Sequence, residues 1–249
     1  MKKQFLWTFL ILFLCGAVPG YAQEQGSEDT GFFDDRENRT FNVQLVTLGG
    51  RQPAGVSGGH AGIHLGFQLS KMIYLGGTVT RFYDSPFGNK DWKDEGWHEE
   101  PLGQEDGRLL DSEVGSRNSI EVRIMPFDFG FYFSAGILQQ GKDEAHLRFA
   151  TKDRAVGDNS YNTGLEAKVK YEARTIPMMG IGFQHVFFNG IVLGVGAQVG
   201  LSKLQEPDVT VTATNSDVTQ ENMDIWKSQI EKNEKRLPGQ GYLSVGYAF

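Results

Sequence analysis

Apolar residues fall at every second position along most of this chain. That period commits it to strands with one apolar face and one small or polar face. In RTFNVQLVTL, Phe41, Val43 and Leu45 alternate with Asn42 and Gln44. In HAGIHLGFQLS the apolar set is Ala61, Ile63, Leu65, Phe67 and Leu69, with His64 among the residues between them. MIYLGGTVTRFY sets Ile73, Leu75 and Val79 on one face, and NSIEVRIM sets Ile120, Val122 and Ile124 against Glu121 and Arg123. FGFYFSAGILQ aligns Phe129, Phe131, Phe133, Ala135 and Ile137. A longer segment, GLEAKVKYEARTIPMMGIGFQHVF, opposes Leu165, Ala167, Val169, Tyr171 and Ala173 to Glu166, Lys168, Lys170, Glu172 and Arg174. IVLGVGAQVGLS and GYLSVGYAF bring the count to eight. The last alternates Leu243, Val245, Tyr247 and Phe249 with Ser244, Gly246 and Ala248.

The connections sharpen the reading. Three are tight, at Ser70-Lys71, Pro126-Phe127-Asp128 and Phe188-Asn189-Gly190. The others, 50–59, 84–116, 141–164 and 202–239, are longer, and the last three exceed ordinary links in a compact soluble domain. Short turns at one end and long loops at the other are how membrane-spanning β-barrels are built, with strands of about 9–11 residues. Phe127, Phe129, Phe187, Phe188, Tyr247 and Phe249 gather at the short-turn end, as an interfacial girdle of aromatics does. A soluble β-sandwich also alternates, but it gives no reason for loop lengths to alternate or for aromatics to collect at one end. The predicted fold class is all-β: an eight-stranded antiparallel transmembrane barrel with short periplasmic turns, long extracellular loops and one loop helix.

The first residues predict export. Lys2 and Lys3 precede the apolar run FLWTFLILFL, and PGYA closes it on small residues, so 1–22 reads as a signal peptide. A lipid-attached Cys15 is disfavoured by the bulky Leu14 before it. Residues 23–38 then form an acidic N-terminal periplasmic segment, and 39–249 the barrel. Cys15 is the chain's one cysteine, so the mature protein has no disulfide, thiolate metal site or cysteine nucleophile. After Lys2 and Lys3 leave, 31 acidic residues face 22 basic ones, a balance unsuited to nucleic acid.

With the leader, the eight amphipathic strands and YLSVGYAF in view, the chain resembles the small outer-membrane barrels of Gram-negative bacteria, a group that includes the barrel domain of outer membrane protein A. The resemblance covers nearly all of 39–249. It implies a porin-like architecture, contact with outer-membrane lipid and lipopolysaccharide, and a C-terminal strand (Leu243, Val245, Tyr247, Phe249) read by the barrel-assembly machinery. It implies no activity. A monomer without cofactor or metal is expected.

Several constellations could carry function. Glu121, Arg123, Glu166, Lys168, Lys170, Glu172, Arg174 and His64 are expected in the lumen or at its outer mouth. There charges must pair, because an unpaired buried charge is very costly. They form either a fixed plug or, if partners exchange, a gate for ions; the inward glycines 62, 66, 194, 196 and 200 leave free volume for the second reading. A lipid-modifying enzyme would need His60 or His146 beside Ser57 or Ser160, and no strand sets His, Ser and an acid on one face. In 84–116, acids outnumber Lys90, Lys93 and Arg108 by seven. This reads as a solvated surface loop that lacks the ligand spacing of a calcium loop. Trp92 and Trp97 within it either pack the loop or meet a partner. Finally, SDVTQENMDIWKSQIEKNEKRLPG predicts a helix capped by Asp217 or Thr219, with Met223, Trp226 and Ile230 on one face. It would cover the barrel mouth, act as a lid, or present a basic patch to lipopolysaccharide.

Overall fold

A computed structural model describes residues 36, 39–50, 52, 56, 58–84, 107–156 and 158–249. The expected leader 1–22, most of the acidic segment 23–38, Ser57, and Trp92 and Trp97 lie outside the described residues.

Eight strands close into an antiparallel barrel. In chain order they are β1 (Phe41–Gly49), β2 (Gly58–Gln68), β3 (Ile73–Asp84), β5 (Arg117–Ile124), β6 (Phe131–Gln140), β9 (Arg174–Val186), β10 (Ile191–Gly200) and β12 (Gly239–Ala248). Each pairs with its sequence neighbour in this set, and β1 pairs with β12 to close the ring. Between them run β4 (Gly107–Val114), β7 (Asp143–Val156), β8 (Asn159–Tyr171), β11 (Asp208–Ala213) and the helix α1 (Gln220–Glu234).

The register fixes the barrel's dimensions. From Gly239 the pairings pass through Val199, Met179, Ala135, Val122, Leu75, Phe67 and Phe41, and return to β12 at Phe249, ten residues away. With a rise of about 3.3 Å per residue and strands about 4.8 Å apart, that stagger over eight strands tilts them by about 40° and gives a backbone radius of about 8 Å. Such a lumen is filled by its own side chains.

The alternation then decides each residue's side. Leu45, Ile63, Leu65, Val79, Ile120, Phe133, Ile137, Ile181, Val195 and Leu243 point outward and are exposed. Asn42, Gln44, His64, Tyr74, Thr78, Ser119, Glu121, Arg123, Tyr132, Gln184 and Gln198 point inward and are buried. Apolar outside and polar inside is the inverse of a soluble domain and fits a wall in lipid. At the short-turn end, Phe127 stacks on Phe129 at 5.1 Å between ring centroids, Phe41 meets Phe67 at 4.9 Å, and Tyr247 meets Phe249 at 5.1 Å. Gly130 and Gly190 hold positive φ (86° and 88°) in two of the tight turns, a conformation that glycine adopts without a Cβ clash.

The long connections are built, and here the expected strand order needs correction. β4, β7, β8 and β11 form a separate four-stranded sheet in the order β11-β8-β7-β4. The segment read as one sixth strand is two. β8 lies in this head sheet, Glu172 and Ala173 turn the chain, and β9 enters the barrel. The cause is a second apolar cover. Ala145, Leu147, Phe149, Leu165, Ala167, Val169 and Val209 pack under Trp226 and Ile230 of α1 in one buried cluster, so the inner face of β8 is covered by a helix and not by lipid.

Candidate functional site

Among the described residues, Arg123 and Glu121 form an ion pair at mid-height in the lumen. Arg123 lies two residues from Glu121 on β5, so both point inward on the same strand. Arg123 Nε and Nη2 donate to Glu121 Oε1 at 2.9 and 2.5 Å, and Nη1 donates to Gln184 Oε1 of β9 at 2.5 Å. Gln198 of β10 donates to Glu121 Oε2 at 2.7 Å and accepts from Gln240 of β12 at 2.8 Å. The guanidinium also lies against the rings of Tyr132, Tyr74 and Tyr242, at 4.5, 4.9 and 5.7 Å from their centroids. One cation therefore engages strands β3, β5, β6, β9 and β12.

Below it a second network reaches β1. Gln44 donates to Asn42 at 2.7 Å and to Gln184 at 3.3 Å, and accepts from Ser244 across the β1–β12 seam at 2.7 Å. His64 spans Tyr74 Oη at 2.7 Å and Thr78 Oγ1 at 2.8 Å. The floor is crossed by Arg36, which is buried and donates to the Phe127 carbonyl at 2.5 Å and to the Met125 sulfur at 3.2 Å.

The mouth carries a third layer. Asp143, at the start of β7, pairs with Arg117 of β5 at 2.6 Å and with Arg236, and its second oxygen accepts from the Gly115 amide at 3.0 Å. Arg236 lies 3.7 Å over the ring of Tyr171. Burial alone would push the Asp143 carboxyl up, but the two guanidiniums outweigh it and hold it below the usual carboxylate range. Arg174 enters this layer from β9, donating to Gln140 at 3.4 Å. Tyr171 Oη donates to the Glu234 carboxylate at 2.8 Å, tying the end of α1 to the same place.

Glu121, Arg123 and His64 thus sit in the lumen and Arg174 at its mouth. Glu166, Lys168, Lys170 and Glu172 do not: they lie on the outer side of the head sheet and at its corner. Lys170 faces Glu144 at 3.4 Å, Glu166 meets Arg148 at 2.7 Å and His146 at 3.4 Å, and Glu172 meets Lys142 at 3.3 Å. A tube of about 8 Å radius has no room for four more charged side chains, whereas a sheet face in water solvates them.

The inward glycines are not free volume either. A Cβ on Gly66 would lie 1.6 Å from Tyr74 Oη, one on Gly196 would lie 2.6 Å from Tyr242 Oη, and one on Gly194 would lie 2.4 Å from Ser244 Oγ. The glycines receive the large residues of neighbouring strands. One cavity among the described residues, bounded by His64, Thr78, Glu121, Gln198 and Tyr242, has about 10 Å³ of space, room for one water.

Trp226 is buried in the head core, so α1 packs on the head sheet, where the sequence had left open a cover for the barrel mouth, a lid or a basic patch. Thr219 is its N-cap, accepting from the Asn222 amide at 3.4 Å. His146 pairs in register with Lys168, eight residues along β8 from Ser160, so about 26 Å separates them at a strand's rise. His60 is held by the Gly115 carbonyl at 2.8 Å. Tyr74, Tyr132, Tyr242, Gln184 and Gln198 also point inward, a placement that strand parity gives although no charge marks them. Asp143, Arg117 and Arg236 are brought together only by the head, which no local pattern announced.

A closed eight-stranded wall with an apolar outside, a polar filled inside and short turns at one end is the fold of the outer-membrane barrels. The chain has the fold of the small, eight-stranded outer-membrane β-barrels. Among solved structures it is similar to CarO of Acinetobacter baumannii, with a TM-score of 0.51 at 12% identity over 86% of this chain and 99% of CarO. CarO2 of the same organism gives a TM-score of 0.52 at 13% identity over 85% and 99% of the two chains. The N-terminal β-barrel domain of Pseudomonas aeruginosa OprF superposes more loosely, with a TM-score of 0.36 at 10% identity over 85% and 98%. At these identities the likeness is one of fold. No protein-family profile matches the chain, and no curated protein matches it.

Proposed function

We propose that this protein is a non-conducting outer-membrane barrel whose working part is its head, serving a structural or surface-interaction role in the cell envelope. The observation that carries the reading is the bridging of the lumen by Arg123. Its ion pair with Glu121 and its contacts with Gln184 and three tyrosines link five strands across the bore. The 1–22 leader is its export signal, and the outward residues Leu243, Val245, Tyr247 and Phe249 of the closing strand are the surface that the assembly machinery reads. The head then stands outside the cell, above lipopolysaccharide.

A narrow channel is the second reading. The Tyr242 hydroxyl is buried without a hydrogen-bond partner and lines the small cavity, where water would satisfy it. Planar-bilayer recording separates the two. The plug predicts no steps for the native barrel, and steps that vanish or change with Glu121→Gln or Arg123→Gln assign the lumen as a gated path.

A further inference from the structure

The mouth layer holds more cations than buried carboxylates. Arg117, Gln140 and Arg174 are register partners on three adjacent strands, β5, β6 and β9, so their side chains share one row on the same face of the wall. Arg236 reaches this row from above. Its Nε donates to Gln205 Oε1 at 3.3 Å, and Gln140 Nε2 donates to the same oxygen at 3.1 Å. The guanidiniums of Arg117, Arg174 and Arg236 thus stand around the amide of Gln140.

The carboxylates do not balance them. Asp143 engages Arg117 and Arg236 together, and also accepts from the Gly115 amide. Glu234 is buried and accepts from Tyr171 Oη at 2.8 Å. Glu172 is exposed and pairs with Lys142 at 3.3 Å, so that rim pair is neutral. Arg174 is the cation left over. Among the described residues it meets no carboxylate, and its hydrogen bond is the long one from Nε to Gln140 Oε1, 3.4 Å. Its Nη2 is buried and has no hydrogen-bond partner. Arg236 and Arg117 are the like charges that bear on it. Gln140 occupies the position from which a carboxylate would neutralise the row, and an amide accepts a hydrogen bond without supplying charge.

A cation with a buried, unbonded donor is costly, and its charge decides what relieves it. Water would bond Nη2 and leave the excess charge in place, whereas an anion answers both. Nη2 is closed off from solvent, so the ion is small. Arg117 and Arg174 belong to barrel strands, while Arg236 follows α1 of the head, so an anion among them draws head and barrel together. We propose that the junction binds one small monovalent anion of the halide type at Arg174, in the field of Arg117 and Arg236, and that this ion clamps the head to the barrel. The site depends on the junction's charges alone, whatever the outer wall faces.

The refolded mature chain in phosphatidylcholine vesicles is exposed to protease at neutral pH, in sodium chloride or in sodium gluconate of equal ionic strength, so that screening is the same. An ion that binds only the closed junction lowers cleavage in 201–238, by about tenfold when chloride stands about ten times above its Kd. The native chain should show this protection, and it should saturate. Gln140→Glu supplies the missing charge from within and is expected to be protected equally in both salts. Arg174→Gln removes the excess cation and should not respond to chloride. The heat-modifiable gel shift shows that each variant has closed its barrel; if Arg174→Gln loses the shift, Gln140→Glu decides. Equal cleavage of the native chain in the two salts, as a water in the ion's place would give, overturns the site. A chloride effect that survives either substitution in a closed barrel overturns it too, since the ion then binds elsewhere.

Discussion

Replacing Arg123 by Met tests whether the lumen is held by its ion pair. Arg123 is 3% exposed and makes three charge-assisted hydrogen bonds, two to Glu121 and one to Gln184. At about 1.5–3 kcal/mol each these sum to about 4–9 kcal/mol, and three tyrosine faces add about 0.5–2 kcal/mol apiece. Most of that gain offsets the desolvation of two buried ions, which costs several kcal/mol per ion. Removing one partner is therefore the informative change. Arg123→Met strands the Glu121 carboxylate with Gln198 alone and is expected to destabilise the barrel by about 3–5 kcal/mol. Glu121→Leu combined with Arg123→Met removes both charges and should recover most of the loss. The assay is urea unfolding in phospholipid vesicles, followed by far-ultraviolet circular dichroism and by the mobility of unheated samples on gels. Tryptophan emission is the wrong probe, since Trp226 reports the head. A loss under about 1 kcal/mol for the single variant, or a double variant no more stable than the single, refutes the argument.

Asp143 should make the junction of head and barrel acid-sensitive. Its folded-state carboxyl is held below the unfolded value of about 3.9, so its contribution is present above that pH and is lost as pH falls through the lower folded value. Protease cleavage in 201–238 should rise only below about pH 4, and Asp143→Asn should raise it at neutral pH and remove the acid step. Trp226→Ala empties a site in the head core and is expected to cost about 3–5 kcal/mol there, read as cleavage within the head while the heat-modifiable gel shift of the barrel persists. Leu243→Arg places a charge on the lipid face and should destabilise the barrel by about 2–4 kcal/mol in vesicles, whereas removal of Phe249 should lower the amount assembled in the outer membrane.

The eight-strand wall was legible because one short-range rule governs it. An outward Leu45 or Ile120 and an inward Gln44 or Glu121 follow from parity alone, whatever the partner strand. The head was not legible for the same reason. Leu165, Ala167 and Val169 alternate with Glu166, Lys168 and Lys170 just as a lipid-facing strand would, and parity cannot say whether a helix or a membrane covers the apolar side. Odd positions stay apolar from Leu165 to Ala173, so the turn at Glu172 falls inside the pattern, and only polar Thr175 with apolar Ile176 and Met178 marks the change that follows. The other warning was length, since the segment read as a sixth strand is about twice what a tilted crossing needs. β7 shows Ala145, Leu147 and Phe149 in alternation, but its register shifts between Phe149 and Lys152 and blurs the period. The site divided along the same line. Same-strand neighbours such as Glu121 and Arg123 were visible, whereas Asp143 with Arg236 required the tertiary fold.

The seam between β1 and β12 has a kinetic consequence. Its ladder joins residues about 200 apart in sequence, as Ser244 and Gln44 do, while every other barrel pairing links neighbours in the strand order. Four of the other pairings join strands with at most eight residues between them, three close over the long connections, and the eighth must await the largest loop closure in the molecule. Until then both β1 and β12 present open edges, and the polar bonds that Gln44 makes to Ser244 and Gln184 remain unmade. Ring closure is thus the natural commitment step of folding. Changes at Gln44 or Ser244 should slow the appearance of the closed form more than they alter its final stability.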